Sequence, residues 1–513
     1  MAAKKIRVQD DLYQFVNGDW LKKAKIPADR PSTGGFARLD ENVQKKLRKD
    51  FDLFASGEKK TNIKERKYSI ALYQKVLDKK RRNKDGITPV LPLLKKIASI
   101  QNIDDLNKNG KELTLLGVDL PLDFGVDTDR KNTQKHSFVL TGPSIILPDT
   151  TYYGEDNKAG QKLLSVYQNR ASKILAKTEL SKADQKAYLQ DTISYDALIA
   201  QNVKSQLEWA DYVDNYHPRK LSVVAKKLLP FDLISLRKSF YGENLPEDVI
   251  VYDPKAIEGF KNYFKEENFS KYIHWAYVRA LRRATAYLSE ELYTLGNSYH
   301  RALVGTTHDS PLKKRAFRLA SGTFSEPVGV YYGRTYFGEE AKKDVVNLVK
   351  EIIQAYKGRR EKNTFLAPST KKKAILKLDT IEIKMGYPDK IDEFYKKLKF
   401  TDKDSLFIAR QKINREKIQH GLEKLNQPVD RSEWGRPGYR VNACYNPFSN
   451  DITFPAAILQ KPFYSIKQSK SKNLGGIGAV IGHEISHAFD NNGAHFDENG
   501  NLKNWWTDKD FAA

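Results

Sequence analysis

Val480-Ile481-Gly482-His483-Glu484-Ile485-Ser486-His487-Ala488-Phe489-Asp490 sets two histidines four residues apart, with a glutamate directly after the first. On an α-helix a four-residue step turns the side chain by about 40°, so both imidazoles face the same way and can share one zinc ion. Glu484 is offset from them by roughly a quarter turn. That is where a general base faces a metal-activated water without becoming a ligand itself. Around this trio, Ile477, Val480, Ile481, Ile485 and Phe489 form an apolar stripe, and Gly478 and Gly482 let another backbone come close. Ser471 or Asn473 is the expected cap of the helix, and Asn491-Asn492-Gly493 its expected stop. Asp490 lies seven residues after His483 and returns to the histidine face, placed to brace an imidazole. The competing reading, a buried helix with satisfied core histidines, suits a lone histidine better than this combination.

The chain has 513 residues, too many for one small core, and two lobes of unequal size are expected. No apolar run approaches the roughly eighteen residues of a membrane span. The first ten residues carry positive charge but no apolar stretch of a leader. The expectation is therefore a cytoplasmic protein with no membrane contact. Cys444 is the only cysteine, which rules out an intramolecular disulfide and a cysteine-rich zinc site, and leaves histidine and carboxylate as ligand types. A formal net charge of +24 invites a nucleic-acid-binding reading. Its distribution argues against that: residues 441–513 hold six lysines, no arginine and seven Asp plus Glu. Elsewhere the excess sits in short clusters such as Lys79-Lys80-Arg81-Arg82, the usual look of a solvated helix face.

Residues 10–85 read as helical, with turns at 27–31 and at Gly34-Gly35. Residues 120–126 and 137–140 read as short strands, and 158–425 as helices again, most clearly through Val345, Leu348, Val349, Ile352, Ile353 and Tyr356. Pro428, Gly435, Pro437 and Gly438 then break the periodicity. The expected division is a mostly helical lobe over 1–425, a linker over 426–440, and the first part of a catalytic domain over 441–513. Arg431, Trp434 and Arg436 in the linker read as structural anchors, with the lining of a substrate path as the other reading. Residues 439–445 and 451–454 read as a hairpin whose edge can take up an extended peptide as an added strand. Asn442 either holds that peptide or satisfies a turn, and spacing alone does not separate the two.

Taken together, these residues resemble the neprilysin family of zinc metalloendopeptidases, in particular its bacterial oligopeptidase O branch. The resemblance rests on Val441-Asn442-Ala443-Cys444-Tyr445-Asn446, on Phe454-Pro455-Ala456-Ala457, on Gly475-Gly476-Ile477-Gly478 leading into His483-Glu484-Ile485-Ser486-His487, and on Trp505-Trp506. Landmarks further upstream, Asn17-Gly18-Asp19-Trp20, Leu147-Pro148-Asp149, Tyr336-Phe337 and Met385-Gly386-Tyr387-Pro388, follow in the family's order. It implies a mainly α fold with small β elements (α+β): a gluzincin, thermolysin-like catalytic lobe capped by a large helical lobe. It also implies zinc held by His483 and His487, water activation by Glu484, and a substrate backbone gripped by Asn442 and Ala443. The implied function is hydrolysis of peptide bonds in oligopeptides.

One family feature has no match in this sequence. The third zinc ligand, a glutamate in a Glu-Asn-x-x-Asp context, and a later histidine and arginine find no counterpart up to Ala513, so the catalytic lobe is expected to be incomplete. The expectation is a truncated or split form. The alternatives are a non-catalytic peptide-binding scaffold, half of a two-chain peptidase with a separate carboxy-terminal fragment, and, on charge alone, a nucleic-acid-binding protein.

Overall fold

Leu39, Val43, Leu47, Phe51 and Phe54 recur at three- and four-residue steps, and that spacing builds the helix Gly35–Ser56 with all five buried. The helices Arg66–Leu77 and Leu312–Thr323 pack against it to form one core. The computed structural model describes residues 6–60, 63, 66–243, 246–364 and 366–512. Met1 to Lys5 of the amino-terminal stretch and Ala513 lie outside the described residues. A second core centres on the helix Glu266–Ala284, buried on nearly every side through its middle turns, with Phe269, Tyr272, Trp275, Val278 and Leu281 buried. It rests on Lys182–Ala200, Lys158–Leu175 and Leu91–Ala98.

The expected strands appear as β1 (Asp123–Thr128) and β2 (His136–Thr141), paired antiparallel. The first starts three residues late, because Leu120 and Leu122 turn into the second core instead of entering the ladder. Two strands also interrupt the stretch read as helical: β3 (His217–Lys220) and β4 (Asp248–Val251), completing a sheet of order β1-β2-β4-β3. With four residues each they are too short to show an alternating pattern.

The third core positions the histidine helix. β5 (Glu382–Gly386), β6 (Cys444–Asn446) and β7 (Asp451–Pro455) form a sheet of order β5-β7-β6, with β5 parallel and β6 antiparallel to the central β7. Alternation sorts its faces. Ile383, Met385, Ile452, Phe454 and Tyr445 point into an apolar cluster with Ile477, Ile481 and Ile485. Lys384, Thr453 and Cys444 share a row on the opposite face. The helices Glu339–Glu361 and Pro368–Asp379 close the same cluster, so it is built from chain on both sides of residues 426–440. Those linker residues are pinned down: Lys384 Nζ donates to Arg431 O at 2.6 Å and Glu433 O at 3.0 Å, and Val429 N donates to Gln134 O at 3.2 Å. Among the described residues the fold is mainly helical with two small sheets, and no helix is long and apolar enough to cross a membrane.

Candidate metal centre

Ser469 caps the approach to the site, its side chain accepting from Lys472 N. The helix was expected to start at Ser471 or Asn473, but a short helix Lys470–Asn473 passes through a π-turn at Leu474–Gly478 into the helix Ala479–Ser486. Asn473 has a different task. Its side chain accepts from Ser465 N and Gln468 Nε2 and donates to Ser465 O, fastening the preceding loop. In the π-turn a Cβ on Gly476 would lie 2.3 Å from Phe463 O, so only glycine lets the two backbones meet there. Ile477, Ile481 and Ile485 follow at four-residue steps and are fully buried, which fixes the rotation of the helix. Tyr356 Oη donates to Gly482 O at 2.7 Å from the helix Glu339–Glu361.

That rotation turns His483 and His487 to the opposite side, where their Nε2 atoms lie 3.2 Å apart. The helix ends at Ser486, earlier than the expected stop at 491–493, and His487 is its terminal cap with φ −62° and ψ −20°. The turn that follows brings Asp490 back, as its spacing predicts. Asp490 Oδ2 sits 2.7 Å from His487 Nδ1, and its Oδ1 accepts from Asn492 N and Gly493 N. A carboxylate only accepts, so Nδ1 of His487 carries the proton and Nε2 is left with its lone pair facing His483. Two imidazole nitrogens 3.2 Å apart subtend about 100° at a zinc bound to each at its usual ~2.05 Å, close to tetrahedral. The donor pair therefore fits zinc. Among the described residues no group of three His, Cys, Asp or Glu is gathered as a complete ligand set. His495 stacks on Phe511 at 5.5 Å.

Glu484 is 8% exposed, and its carboxylate has no hydrogen-bond or ion-pair partner among the described residues. It acts electrostatically on Cys444 in β6, whose thiol is pushed up first by burial and further by Asp451 and Glu484, against the lowering effect of Arg436. The histidine helix thus faces the strand that carries the other predicted residues. Asn442 is exposed just before β6, with its backbone N donating to Arg440 O and no side-chain partner among the described residues; Ala443 is buried. β6 is the edge of its sheet, shorter than the expected strand because residues 439–443 run as turn and extended chain. On the polar face of the sheet a cavity of about 570 Å³ is lined by Lys384, Trp434, Arg436, Cys444 and Thr453 among others.

One residue that sequence reasoning missed is Lys377. It is almost fully buried, and its Nζ donates to Ala488 O, Gly493 O and Phe496 O at 3.0, 2.8 and 2.6 Å, tying together the chain that follows His487. Burial pulls its ammonium down to about 7, against the pull of Asp497, Asp490 and Glu498. The available signal was a lysine on the apolar face that Ala374, Leu378 and Ile381 share.

Two family profiles, each described as peptidase family M13, match residues 8–388 and 442–513. A neutral endopeptidase of Lactobacillus helveticus is 40% identical, over 98% of this chain and 78% of its own length. Among solved structures, PepO from Lactobacillus rhamnosis superposes with a TM-score of 0.92 at 34% identity, covering 99% of this chain and 80% of that one. The Mycobacterium tuberculosis zinc metalloprotease ZMP1, solved with an inhibitor, gives 0.88 at 29% identity, with coverages of 99% and 77%. Fold, donor pair and relatives define a zinc metalloendopeptidase that acts on peptides. Within that class the chain belongs to peptidase family M13, the neprilysin family. The comparisons lend no support to the nucleic-acid reading of the net charge or to a non-catalytic scaffold. The matches run along nearly all of this chain and about four fifths of those relatives' own length, and none of them points to a separate carboxy-terminal fragment.

Proposed function

We propose that the chain hydrolyses peptide bonds in oligopeptides, with His483 and His487 as zinc ligands and Glu484 as general base. The observation that carries this reading is the pair of Nε2 atoms 3.2 Å apart, one braced by Asp490, beside a carboxylate that no other side chain among the described residues engages. Bound zinc supplies Lewis acidity, acidifying a water and polarising the scissile carbonyl. Glu484 takes the water's proton and returns it to the leaving amine. Its burial beside the apolar cluster keeps it clear of competing donors. Asn442 donates its side-chain amide to a substrate carbonyl, Ala443 offers its main chain, and the open edge of β6 holds the peptide as an added strand. Trp434 and Arg436 border the space that such a peptide enters.

The catalytic unit, on this proposal, takes in Glu339–Glu361, Pro368–Asp379 and β5 as well as residues 441–512, since all share one apolar cluster. The location we propose is the cytoplasm, in keeping with the single free cysteine. The test is cleavage of a pool of short peptides by the zinc-loaded chain, with a chelator-treated sample and a Glu484→Gln sample alongside. Cleavage in the first alone is expected, with Glu484→Gln slower by about 10²-fold or more. Undiminished cleavage by Glu484→Gln would overturn its assignment as base.

A further inference from the structure

In the helical lobe, the helices Lys158–Leu175, Glu266–Ala284, Glu290–Val304 and Leu406–Glu423 meet around a cavity of about 520 Å³ that shares no lining residue with the histidine helix or its sheet. Arg170, Arg282, Arg283 and Arg410 line it together with His300, and among the described residues no Asp or Glu does. Arg283 is paired with a carboxylate, its two terminal nitrogens donating to Asp119 at 2.8 and 2.7 Å, and Asp119 also accepts from Arg279 Nε at 2.7 Å. Among the described residues the other three are not. Arg170 is only 3% exposed, lies 4.6 and 4.9 Å from the rings of Tyr167 and Tyr299, and donates from Nη1 to Gly296 O, while its Nε has no partner. Arg410 donates to Thr323 Oγ1 at 3.0 Å and Asn414 Oδ1 at 3.3 Å, and its buried Nε is likewise unpaired. The guanidinium of Arg282 has no hydrogen-bond or ion-pair partner among the described residues.

A helix end accounts for part of this. Arg282 and Arg283 occupy the last turn of Glu266–Ala284, where a cation suits the helix dipole. Arg410 stands near the start of its own helix, where the dipole disfavours a cation, and Arg170 comes from a third helix. Burial pulls Arg170 down to about 10, and Arg282 beside it pulls the same way. Like charges gathered in a walled recess without a carboxylate repel one another until an anion enters.

We propose that this cavity binds a small polyvalent oxyanion, phosphate-bearing or polycarboxylate, through Arg170, Arg282 and Arg410. Planar guanidinium groups match oxyanion geometry and hold it by charge-assisted hydrogen bonds. The volume suits a small molecule, for which sites of roughly 300–1,000 Å³ are usual. All three groups line one recess of small-molecule size, which favours a compact anion over an extended acidic peptide.

The experiment is calorimetric titration of the full chain, at fixed ionic strength, with a hexose bisphosphate, with tricarballylate and with a glutamate-rich peptide. Wild type, Arg282→Gln, Arg410→Gln and a surface control, Lys79→Gln with Lys80→Gln, are compared. Saturable binding of the bisphosphate or the tricarboxylate is expected at one site. Each arginine variant should weaken it about tenfold, and the lysine control should leave it unchanged; whichever of the two anions binds more tightly identifies the source. Arg282→Gln should unfold no earlier than wild type without ligand, since the lost group makes no internal bond. The proposal is overturned by no saturable binding of either small anion, by equal weakening in the lysine control, or by a peptide that binds while both small anions fail.

Discussion

His487 is held from two sides. Its Nδ1 meets Asp490, and the carbonyls of the turn that carries Asp490 are gathered by Lys377. Asp490→Ala frees the imidazole to rotate and removes the bond that fixes its tautomer. Zinc affinity is expected to fall about 10- to 100-fold, measured by competition with a chromophoric chelator. At this scale the sequence is explicit wherever spacing decides the geometry: His483, His487 and Asp490 sit where a helical count puts them. It is silent where a side chain acts across the fold, since Lys377 is more than a hundred residues from the carbonyls it binds. Lys377→Met takes the donor from the carbonyls of Ala488 and Phe496, while Gly493 O keeps Phe496 N and Trp505 Nε1, and is expected to cost about 2 kcal/mol or more of stability. Denaturant unfolding checks this.

Among the elements, the histidine helix depends on the π-turn that delivers it. Phe463 O accepts from Ile477 N at 2.8 Å, and the same oxygen leaves no room for a side chain at Gly476. Gly476→Ala is expected to lose about 1–3 kcal/mol and to weaken zinc binding, because the turn sets the rotation of the helix. Chemical denaturation and a zinc titration of the same variant check both effects. The helix itself is legible because three isoleucines repeat every four residues; its start is not, because a π-turn replaces the uninterrupted helix that a capping pattern presupposes. β5 is hidden for a related reason. Glu382-Ile383-Lys384-Met385-Gly386 alternates over five residues, but follows directly on a helix of the same mixed composition, and its partner β7 lies beyond the linker. Parallel pairing of that kind leaves no local mark.

Over the whole molecule, the resemblance carried by scattered landmarks proves more informative than periodicity. It gives a helical lobe over a small-sheet catalytic lobe, whereas the break in composition at 426–440 marks a loop laid across both and not the edge of a core. The terminal helix Asp508–Ala512 is tied to the rest by Asp510, which accepts from Thr370 Oγ1 at 2.6 Å and from Ala367 N at 2.7 Å. Burial alone would raise this carboxyl's pKa; the bonds from Thr370, Thr507 and the backbone outweigh it and hold it well below the usual range. A carboxyl with a depressed folded pKa adds stability above its unfolded value of about 3.9 and loses that contribution as the pH falls toward the folded value. Wild type should therefore exceed Asp510→Asn in unfolding midpoint at pH ~6, and the gap should narrow as the pH drops below ~4.

The central claim is that His483 and His487 hold zinc while Glu484 acts on water without binding the metal. Zinc titration of the wild-type chain, His487→Ala and Glu484→Gln tests it most directly. One zinc is expected per wild-type chain, with the same affinity within about threefold in Glu484→Gln and a loss of about a hundredfold or more in His487→Ala. Zinc bound equally well without His487, or released when Glu484 is replaced, would contradict it.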